Sequence, residues 1–317
     1  MATSSCWRRE AATQPARAEY VDAKTCAGCH SAIWSTYQKT GMARSFYRAT
    51  PASMGAEAGS RGRRFDHKAS GRSYEIVERD DQYFMGRSER GYAGKVANAI
   101  ERQIHYVMGS GRHARTYIHR TPQGRLAEFP LAWYPEKGGF FGMSPGYDRA
   151  DPQDFRRKIS FDCMFCHNAY PAIPPGEDRP SSEPVFPAAL PEGIDCQRCH
   201  GPGGAHVQAA GRREVAPEQI RAAIVNPARL SAERSMEVCM QCHLETTSFP
   251  LPNSLIRFGR GAFSYRPGEP LERFILHFDH AKGTGREEKF EIVNSVYRLR
   301  QSPCFLESKG KLRCTTC

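Results

Sequence analysis

Alternating polar and apolar positions predict two β-hairpins in the first half of the chain. In the first, Tyr74–Glu78 and Gln82–Met85 flank two consecutive aspartates, which favour tight turns. In the second, Thr116–His119 and Arg125–Phe129 flank a Thr-Pro-Gln-Gly sequence whose proline and glycine suit a type I turn. The pattern therefore predicts a β-rich region over 61–150.

Apolar positions with helical spacing occur only in short segments. Ile33, Trp34 and Tyr37 lie on one face of a predicted helix. Three more short helices are predicted in the second half of the chain, at Pro217–Leu230, Ser231–His243 and Phe290–Leu299. The small, polar residues 46–60 are interpreted as a linker, and 171–191, with seven prolines, as a surface loop.

The cysteines change this picture. Ten of the twelve form five C-x-x-C pairs, and a histidine directly follows four of the pairs. At this composition one such motif arises by chance only ~0.02 times. The four motifs are Cys26–His30, Cys163–His167, Cys196–His200 and Cys239–His243, and the fifth pair is Cys314 and Cys317.

This spacing is typical of c-type haem attachment, in which two thiols form thioethers with the porphyrin and the adjacent histidine is the proximal iron ligand. The motifs predict four covalent haems, and a fifth if the chain continues past Cys317. The predicted attachment residues are Cys26, Cys29, Cys163, Cys166, Cys196, Cys199, Cys239 and Cys242, with Cys314 and Cys317 for the fifth. The predicted proximal ligands are His30, His167, His200 and His243.

Two other uses of paired cysteines remain as alternatives. Paired C-x-x-C sequences also build zinc sites, and a single pair can carry out thiol redox chemistry. Neither use requires a histidine directly after the second cysteine. A random histidine after all four pairs would occur at a rate of ~10⁻⁶. Haem is therefore the expected cofactor.

Distal iron ligands must come from outside the motifs, where seven histidines lie. His206 is the first choice, because it follows a Gly-Pro-Gly-Gly loop six residues after His200. The other candidates are His113 in a glycine-bracketed turn, His67 before the β region, and one of His277 and His280. Met42 lies 12 residues after His30 and either binds iron or packs as an apolar side chain. His105 and His119 are expected to be structural.

Thioether formation takes place outside the cytoplasm in bacteria, which predicts a periplasmic or extracellular protein. Residues 1–20 lack the apolar region of a secretory signal, so the signal would be absent from this sequence. Cys6 follows small residues, which leaves a lipid anchor open. No apolar run is long enough to span a membrane. Cys304 is expected to be a buried thiol.

Basic residues outnumber acidic ones by 45 to 34, giving a net charge of +11. This excess alone would suggest a nucleic-acid partner. The arginine-rich stretches 61–64 and 156–158 lack the interleaved aromatic side chains of such a surface. We therefore expect no nucleic-acid binding, and expect the basic residues to face haem propionates or solvent.

The chain resembles the bacterial multihaem cytochromes c, in the branch related to the tetrahaem cytochrome that accepts electrons from hydroxylamine oxidoreductase. The likeness rests on 25–30 with 40–42, Gly109–His113, 165–168, 193–206, Asn226–Pro227, Cys239–His243 and 313–317. The resemblance implies a fold of mainly short α-helices and loops packed around haems, with a β-rich insertion between haem 1 and haem 2.

Similar proteins continue the last C-x-x-C pair into a histidine and often into tetratricopeptide repeats, which implies that this chain is truncated. They often carry a histidine where Met42 stands, so the sixth ligand of one haem is in question. The resulting division is a flexible segment over 1–20, the haem 1 segment and linker over 21–60, the β-rich insertion over 61–150, and the later haem motifs over 151–317.

The expected function is that of an exported electron carrier with redox protein partners, in which closely packed haems pass single electrons. Two alternatives stay open. One is a multihaem oxidoreductase that acts on a small nitrogen or sulfur compound at a five-coordinate haem, with Arg112, Arg115 and His119 as candidate pocket residues. The other is a subunit of a membrane-anchored or polymeric electron conduit.

Overall fold

The computed structural model describes residues 19–58, 64–244, 254–278, 281, 283, 285 and 295–316. The chain divides into two compact units. We call one the strand-rich unit; it comprises Asp22–Ile173 and Glu183–Arg198. We call the other the helix-rich unit; it comprises Met1–Val21, Pro174–Ser182 and Cys199–Cys317.

Short helices begin and end the strand-rich unit. They are α1 Ala23–Cys29, α2 Ser31–Tyr37, α3 Pro51–Ala58, α4 Phe161–His167 and α5 Gln197–His200, the last of which runs past the end of the unit. Side-chain oxygens start two of these helices. Asp22 accepts from the Lys24 backbone N–H at 2.8 Å to cap α1, and Ser160 accepts from that of Cys163 at 3.4 Å to cap α4.

The strands of this unit are β1 Phe46–Arg48, β2 Arg64–His67, β3 Arg72–Arg79, β4 Gln82–Arg90, β5 Val96–Ile104, β6 Tyr106–Met108, β7 Arg115–Arg120, β8 Leu126–Tyr134, β9 Phe140–Met143 and β10 Arg157–Lys158. They form a four-stranded sheet in the order β2-β3-β4-β5. A six-stranded sheet has the order β1-β6-β7-β8-β10, with β9 also paired to β8. Three 3₁₀ turns lie at Tyr92–Gly94, Glu136–Gly138 and Asp154–Arg156.

Both hairpins predicted from the sequence are confirmed. Asp80 and Asp81 adopt positive φ angles of 50° and 59°, as the tight turn between β3 and β4 requires. Gly124 closes the turn between β7 and β8 by donating its N–H to the Thr121 carbonyl at 2.9 Å. Local alternation and turn chemistry were sufficient signals here.

Strand β8 contains a proline, which cannot donate to a sheet ladder. The structure accommodates Pro130 at an irregularity, because the β7–β8 register shifts between Thr116 and Ile118. The second partner of β8 also changes at this point. β10 pairs with Ala127 and Glu128, and β9 pairs from Leu131 onward.

The main hydrophobic core draws on both sheets of this unit. Its buried members are Met54, Tyr74, Ile76, Tyr83, Met85, Ile104, Val107, Tyr117, Phe129, Leu131, Trp133, Phe141, Met143 and Tyr147. None of them belongs to a C-x-x-C-H motif. Burial of large apolar side chains between strands is therefore the chief stabilising contribution in this unit.

The expected fold class is therefore wrong. The twelve strands among the described residues all pair antiparallel, and the fold is β-rich rather than mainly short helices and loops packed around haems. The β region is also not a closed insertion. β1 pairs with β6 from before it, and β10 pairs with β8 from after it. Residues 46–58, interpreted as a linker, form β1 and α3, and Phe46 is fully buried.

The helix-rich unit contains α6 Gly204–Ala210, α7 Pro217–Ala222, α8 Ala232–His243, α9 Ser295–Gln301 and α10 Pro303–Glu307. Two short strands, β11 Ser254–Ile256 and β12 Ile275–His277, pair with each other. Two 3₁₀ turns lie at Pro227–Arg229 and Leu271–Arg273. The helix predicted at 231–243 is confirmed as α8. The helix predicted at 217–230 is shorter, because α7 ends at Ala222 and only the 3₁₀ turn at Pro227–Arg229 follows. α9 covers the described part of the helix predicted at 290–299, since 290–294 lie outside the described residues.

Residues 171–190 contain no helix or strand, as their prolines predicted. Along the described parts of the chain, no helix is both long and apolar enough to cross a bilayer.

Two histidines of the six-stranded sheet region lie with their rings 5.2 Å apart. The Arg120 backbone N–H donates to His105 Nδ1 at 3.1 Å, and His119 Nδ1 donates to the Gln103 carbonyl at 2.9 Å. Burial and the neighbouring His119 lower the pKa of His105 to about 4, and burial also lowers the pKa of His119. Both rings are structural elements of the sheet, held neutral by burial.

These depressed pKa values make stability depend on pH. Between pH 6.5 and about 4 the unfolded chain binds protons that the folded chain does not. The contribution of the two neutral histidines to the free energy of unfolding is therefore complete above pH 6.5, and it is lost as the pH drops towards 4. The substitution His105→Asn keeps an acceptor for Arg120 and removes the titration of His105. In urea denaturation, the free energy of unfolding should fall between pH 6.5 and 4 in both proteins. The fall should be smaller in the variant than in the wild type by on the order of 1–2 kcal/mol. Parallel pH profiles would contradict this account.

Candidate functional site

Three C-x-x-C-H motifs lie at the C-terminal end of a helix, and the third spans the short helix α5. In α4 and α8 both cysteines and the histidine are helical. In α1 both cysteines are helical and His30 follows as the C-cap, whereas α5 begins just after Cys196 and ends at His200. Helical residues three apart lie on the same side of the helix. In α1, α4 and α8 the two thiols of a pair therefore share one face.

The motif thiols are chemically available. Among the described residues, none of the eight motif cysteines is in a disulfide; Cys29 is exposed and the other seven are half-buried. Covalent attachment needs thiols that are reduced and reachable, and these meet both conditions.

A backbone junction joins the chain just after the first motif to the chain just before the third. Gly193 N–H donates to the Phe46 carbonyl at 2.7 Å, and Ile194 N–H donates to the Met42 carbonyl at 3.0 Å. The Tyr37 hydroxyl at the end of α2 donates to the Ile194 carbonyl at 2.7 Å. These bonds bring the first and third motifs together although more than 150 residues separate them.

Ser45 connects the second motif to the same junction. Its hydroxyl lies 2.7 Å from the His167 carbonyl and 2.8 Å from the Met42 carbonyl, and the residue is buried. The last residue of α4 is thereby held against the chain that follows α2.

The first cysteines of the first and third motifs also meet. Cys26 and Cys196 are hydrogen-bonded through their side chains. Burial, and then the neighbouring Asp195, raises the pKa of Cys26. Burial, and then Cys26, raises the pKa of Cys196 to about 11. Both sulfurs are therefore neutral thiols near neutral pH.

A second cysteine pair lies in the helix-rich unit. Cys239 of the fourth motif donates a hydrogen bond to Cys314 of the fifth pair, which raises the pKa of Cys239 and lowers that of Cys314 to about 7. Cys314 also lies 3.8 Å from the Met236 sulfur. The fifth pair is thus adjacent to α8, although Cys317 itself lies outside the described residues.

Two histidines of the helix-rich unit have their tautomer set by the backbone. His200 Nδ1 donates to the Val225 carbonyl at 2.8 Å, and His206 Nδ1 donates to the Ile220 carbonyl at 2.9 Å. A carbonyl can only accept, so Nδ1 carries the proton in both rings and Nε2 carries the lone pair. Histidines that bind iron or zinc through Nε2 have this arrangement.

The other predicted ligands are placed differently. His67 is buried, and its two ring nitrogens contact Ser70 at 2.8 Å and Asp148 at 3.1 Å, so both are already used. His113 is exposed in the turn before β7, and His277 is half-buried at the end of β12. Met42 is 43% exposed.

Two predictions concern residues outside the described part of the chain, namely His280 as a distal ligand and Cys6 as a lipid anchor. A third is wrong. Cys304, expected to be a buried thiol, is exposed on α10.

The residues suggested for an enzyme pocket are occupied elsewhere. Arg112 is exposed, Arg115 donates to the Ser53 carbonyl at 3.4 Å, and His119 is bonded within the sheet. The described hydrogen bonds of Arg115 and His119 go to different elements, α3 and β5.

The motif residues are of the chemical types that covalent haem attachment requires. In the part of the chain that the structure describes, no group of three or more His, Cys, Asp or Glu side chains could hold a metal ion by itself. A structural zinc site needs four such ligands. Haem iron needs only one or two axial ligands from the protein. Thiol pairs at helix ends, each next to a histidine, supply what a c-type site requires.

Sequence reasoning missed Arg198, which lies between the two cysteines of the third motif and is 1% exposed. The available signal was an arginine three residues after Asp195, within a C-x-x-C-H motif. The hydrogen bonds of Ser45 to His167 and of Tyr37 to Ile194 were also not predicted, because these partners are distant in sequence.

No protein-family model matches this chain, and neither a curated protein nor a solved structure is significantly similar to it.

The junction generates a prediction at Gly193. This residue has a φ of +56°, and an added Cβ would lie 2.0 Å from the Ala43 carbonyl oxygen. Gly193→Ala should therefore lower the free energy of unfolding by about 2 kcal/mol or more in urea denaturation. The matched control is Gly55→Ala in α3, where nothing lies within 4 Å of the added Cβ. It should stabilise by ~0.5–1 kcal/mol. Equal effects of the two substitutions would refute the role of the junction.

Proposed function

We propose that this chain is an exported multihaem c-type cytochrome that passes single electrons between redox protein partners. The observation that carries the proposal is the set of four C-x-x-C-H motifs, each on a short helix or overlapping one, with motif thiols that are exposed or half-buried. Fold similarity supplies no support, so the argument rests on the site itself.

When bound, haem supplies one-electron redox chemistry, and the chain holds and tunes it. The motif cysteines would hold the porphyrin, and His30, His167, His200 and His243 would bind the irons. The hydrogen bond from His200 Nδ1 to Val225 orients its ring and increases the basicity of Nε2.

Among the distal candidates, His206 is best supported. It lies on α6, and the hydrogen bond from its Nδ1 to the Ile220 carbonyl sets the tautomer in which Nε2 carries the lone pair. His67 is the least supported, because both of its nitrogens already have partners. His113, His277, His280 and Met42 remain candidates.

Export follows from the chemistry of attachment, because bacteria form these thioethers outside the cytoplasm. We therefore propose a periplasmic or extracellular location. The net charge of +11 favours redox partners with acidic surfaces.

The haem count provides the first test. When the full chain is produced together with a c-type haem maturation system, its intact mass should be that of the apoprotein plus four haems. The double variant Cys163→Ser/Cys166→Ser should carry one haem fewer, because it loses both thioether bonds of the second motif.

Cys304→Ser is the matched control, because Cys304 is an exposed cysteine outside any C-x-x-C pair. This variant should keep the wild-type haem count. A chain without covalent haem, or a double variant with an unchanged count, would refute the proposal.

Axial ligation provides a second test. His206→Ala should convert one haem from low spin to high spin in the ferric electron paramagnetic resonance spectrum, because it removes an imidazole from the iron. His67→Gln is the control and should leave every haem low spin. If His206→Ala has no spectral effect, His206 is not a ligand.

The same spectrum separates the carrier from an enzyme. A wild-type spectrum with only low-spin signals supports the carrier, since no iron then has an open coordination position. A high-spin signal in the wild type that changes with nitrite, hydroxylamine or sulfite would instead support an oxidoreductase.

A further inference from the structure

Arg198 is a buried charged residue of the strand-rich unit. Among the described residues, it has the largest side chain that is less than 2% exposed. It lies inside the third motif, between Cys196 and Cys199. Burying a guanidinium is costly unless polar and aromatic contacts replace water. Its contacts therefore bear on what the charge does.

Those contacts join the third motif to the second. Arg198 Nη2 donates to the Phe165 carbonyl at 2.6 Å. The guanidinium also lies 4.2 Å from the centre of the Phe165 ring and 4.7 Å from that of Tyr170. Phe165 is buried and lies between the cysteines of the second motif, directly before Cys166.

The backbone of Arg198 is held separately. Asp195 accepts hydrogen bonds from the backbone N–H groups of Gln197 and Arg198 at 3.1 and 3.2 Å, and from the Gln197 side chain at 3.1 Å. This arrangement fixes the start of α5. The backbone of Arg198 is thus held by Asp195, and its guanidinium is held by the Phe165 carbonyl. Packing alone would not call for a cation here, because an apolar side chain of similar volume could fill the same space.

We propose that Arg198 is a positioning residue for the second and third motifs, and that its buried charge raises the reduction potentials of the haems attached there. This rests on the proposed function. Each reduction takes one electron from a donor, forms and breaks no bond, and lowers the charge of the site by one. A fixed positive charge nearby favours that change. Because the charge is buried, solvent and salt screen it little.

The effect is large enough to measure. Unit charges roughly 10 Å apart at an effective dielectric constant of about 20 interact strongly enough to shift an equilibrium about tenfold. For a one-electron couple, a tenfold change corresponds to about 59 mV.

The experiment is a potentiometric titration of the full haem-bearing chain, followed by visible absorption. Arg198→Gln keeps a donor for the Phe165 carbonyl and removes the charge. It should lower the reduction potential of one or two haems by about 59 mV, which corresponds to a tenfold change in the equilibrium constant. Arg198→Lys keeps the charge and should retain wild-type potentials. Arg212→Gln removes an exposed arginine outside the motifs and should change nothing.

Unchanged potentials in Arg198→Gln would overturn the proposal, as would potentials in Arg198→Lys that fall as far as in the glutamine variant. If the glutamine variant loses haem, the lysine variant still decides: wild-type potentials support the role of charge, and lowered potentials overturn it. Electron paramagnetic resonance checks that the axial ligands are unaltered.

Haem content separates this proposal from the proposed function. A wild-type chain with four haems and insensitive potentials refutes only the role of Arg198. A wild-type chain without covalent haem refutes both proposals.

Discussion

Two backbone hydrogen bonds, from Gly193 to Phe46 and from Ile194 to Met42, are the constraint on which the strand-rich unit depends. Phe46 begins β1, which pairs with β6 at the edge of the six-stranded sheet. The same short stretch, through Ser45, holds the carbonyl of His167. The junction therefore connects the sheet to three of the four motifs, and it requires a residue without a side chain at 193 because the backbones approach so closely.

This arrangement separates stability from chemistry. The buried apolar side chains of the two sheets form a core that includes none of the motif residues. The motif cysteines lie outside it, on helix ends that keep part of their sulfur surface accessible. The core can therefore form without any contribution from the motif side chains.

Local features of the fold could be predicted from the sequence, and its architecture could not. The hairpin at Asp80 and Asp81 and the helix ending at His243 follow from turn chemistry and helical spacing. The sheet partners of Phe46 and Arg157 lie tens of residues away, and nothing in a local pattern identifies them. The expected fold placed haems at the centre of the protein. The strands instead bury enough apolar surface to form a hydrophobic core without haem.

The same division holds for the site. Four motifs identify themselves by spacing, whereas Arg198 becomes visible only through its contacts with Phe165 and Tyr170. Distal ligands are hardest to predict, because nothing in the local sequence shows that the ring nitrogens of His67 contact Ser70 and Asp148. Those partners depend on tertiary structure.

The central claim is that haem is attached at each of the four motifs, and peptide mapping tests it most directly. The mature full chain would be treated with iodoacetamide, digested and analysed by mass spectrometry. The account predicts four haem-bearing peptides, one for each C-x-x-C-H motif, and alkylation of Cys304. Alkylation of all eight motif cysteines, with no haem-bearing peptide, would contradict it.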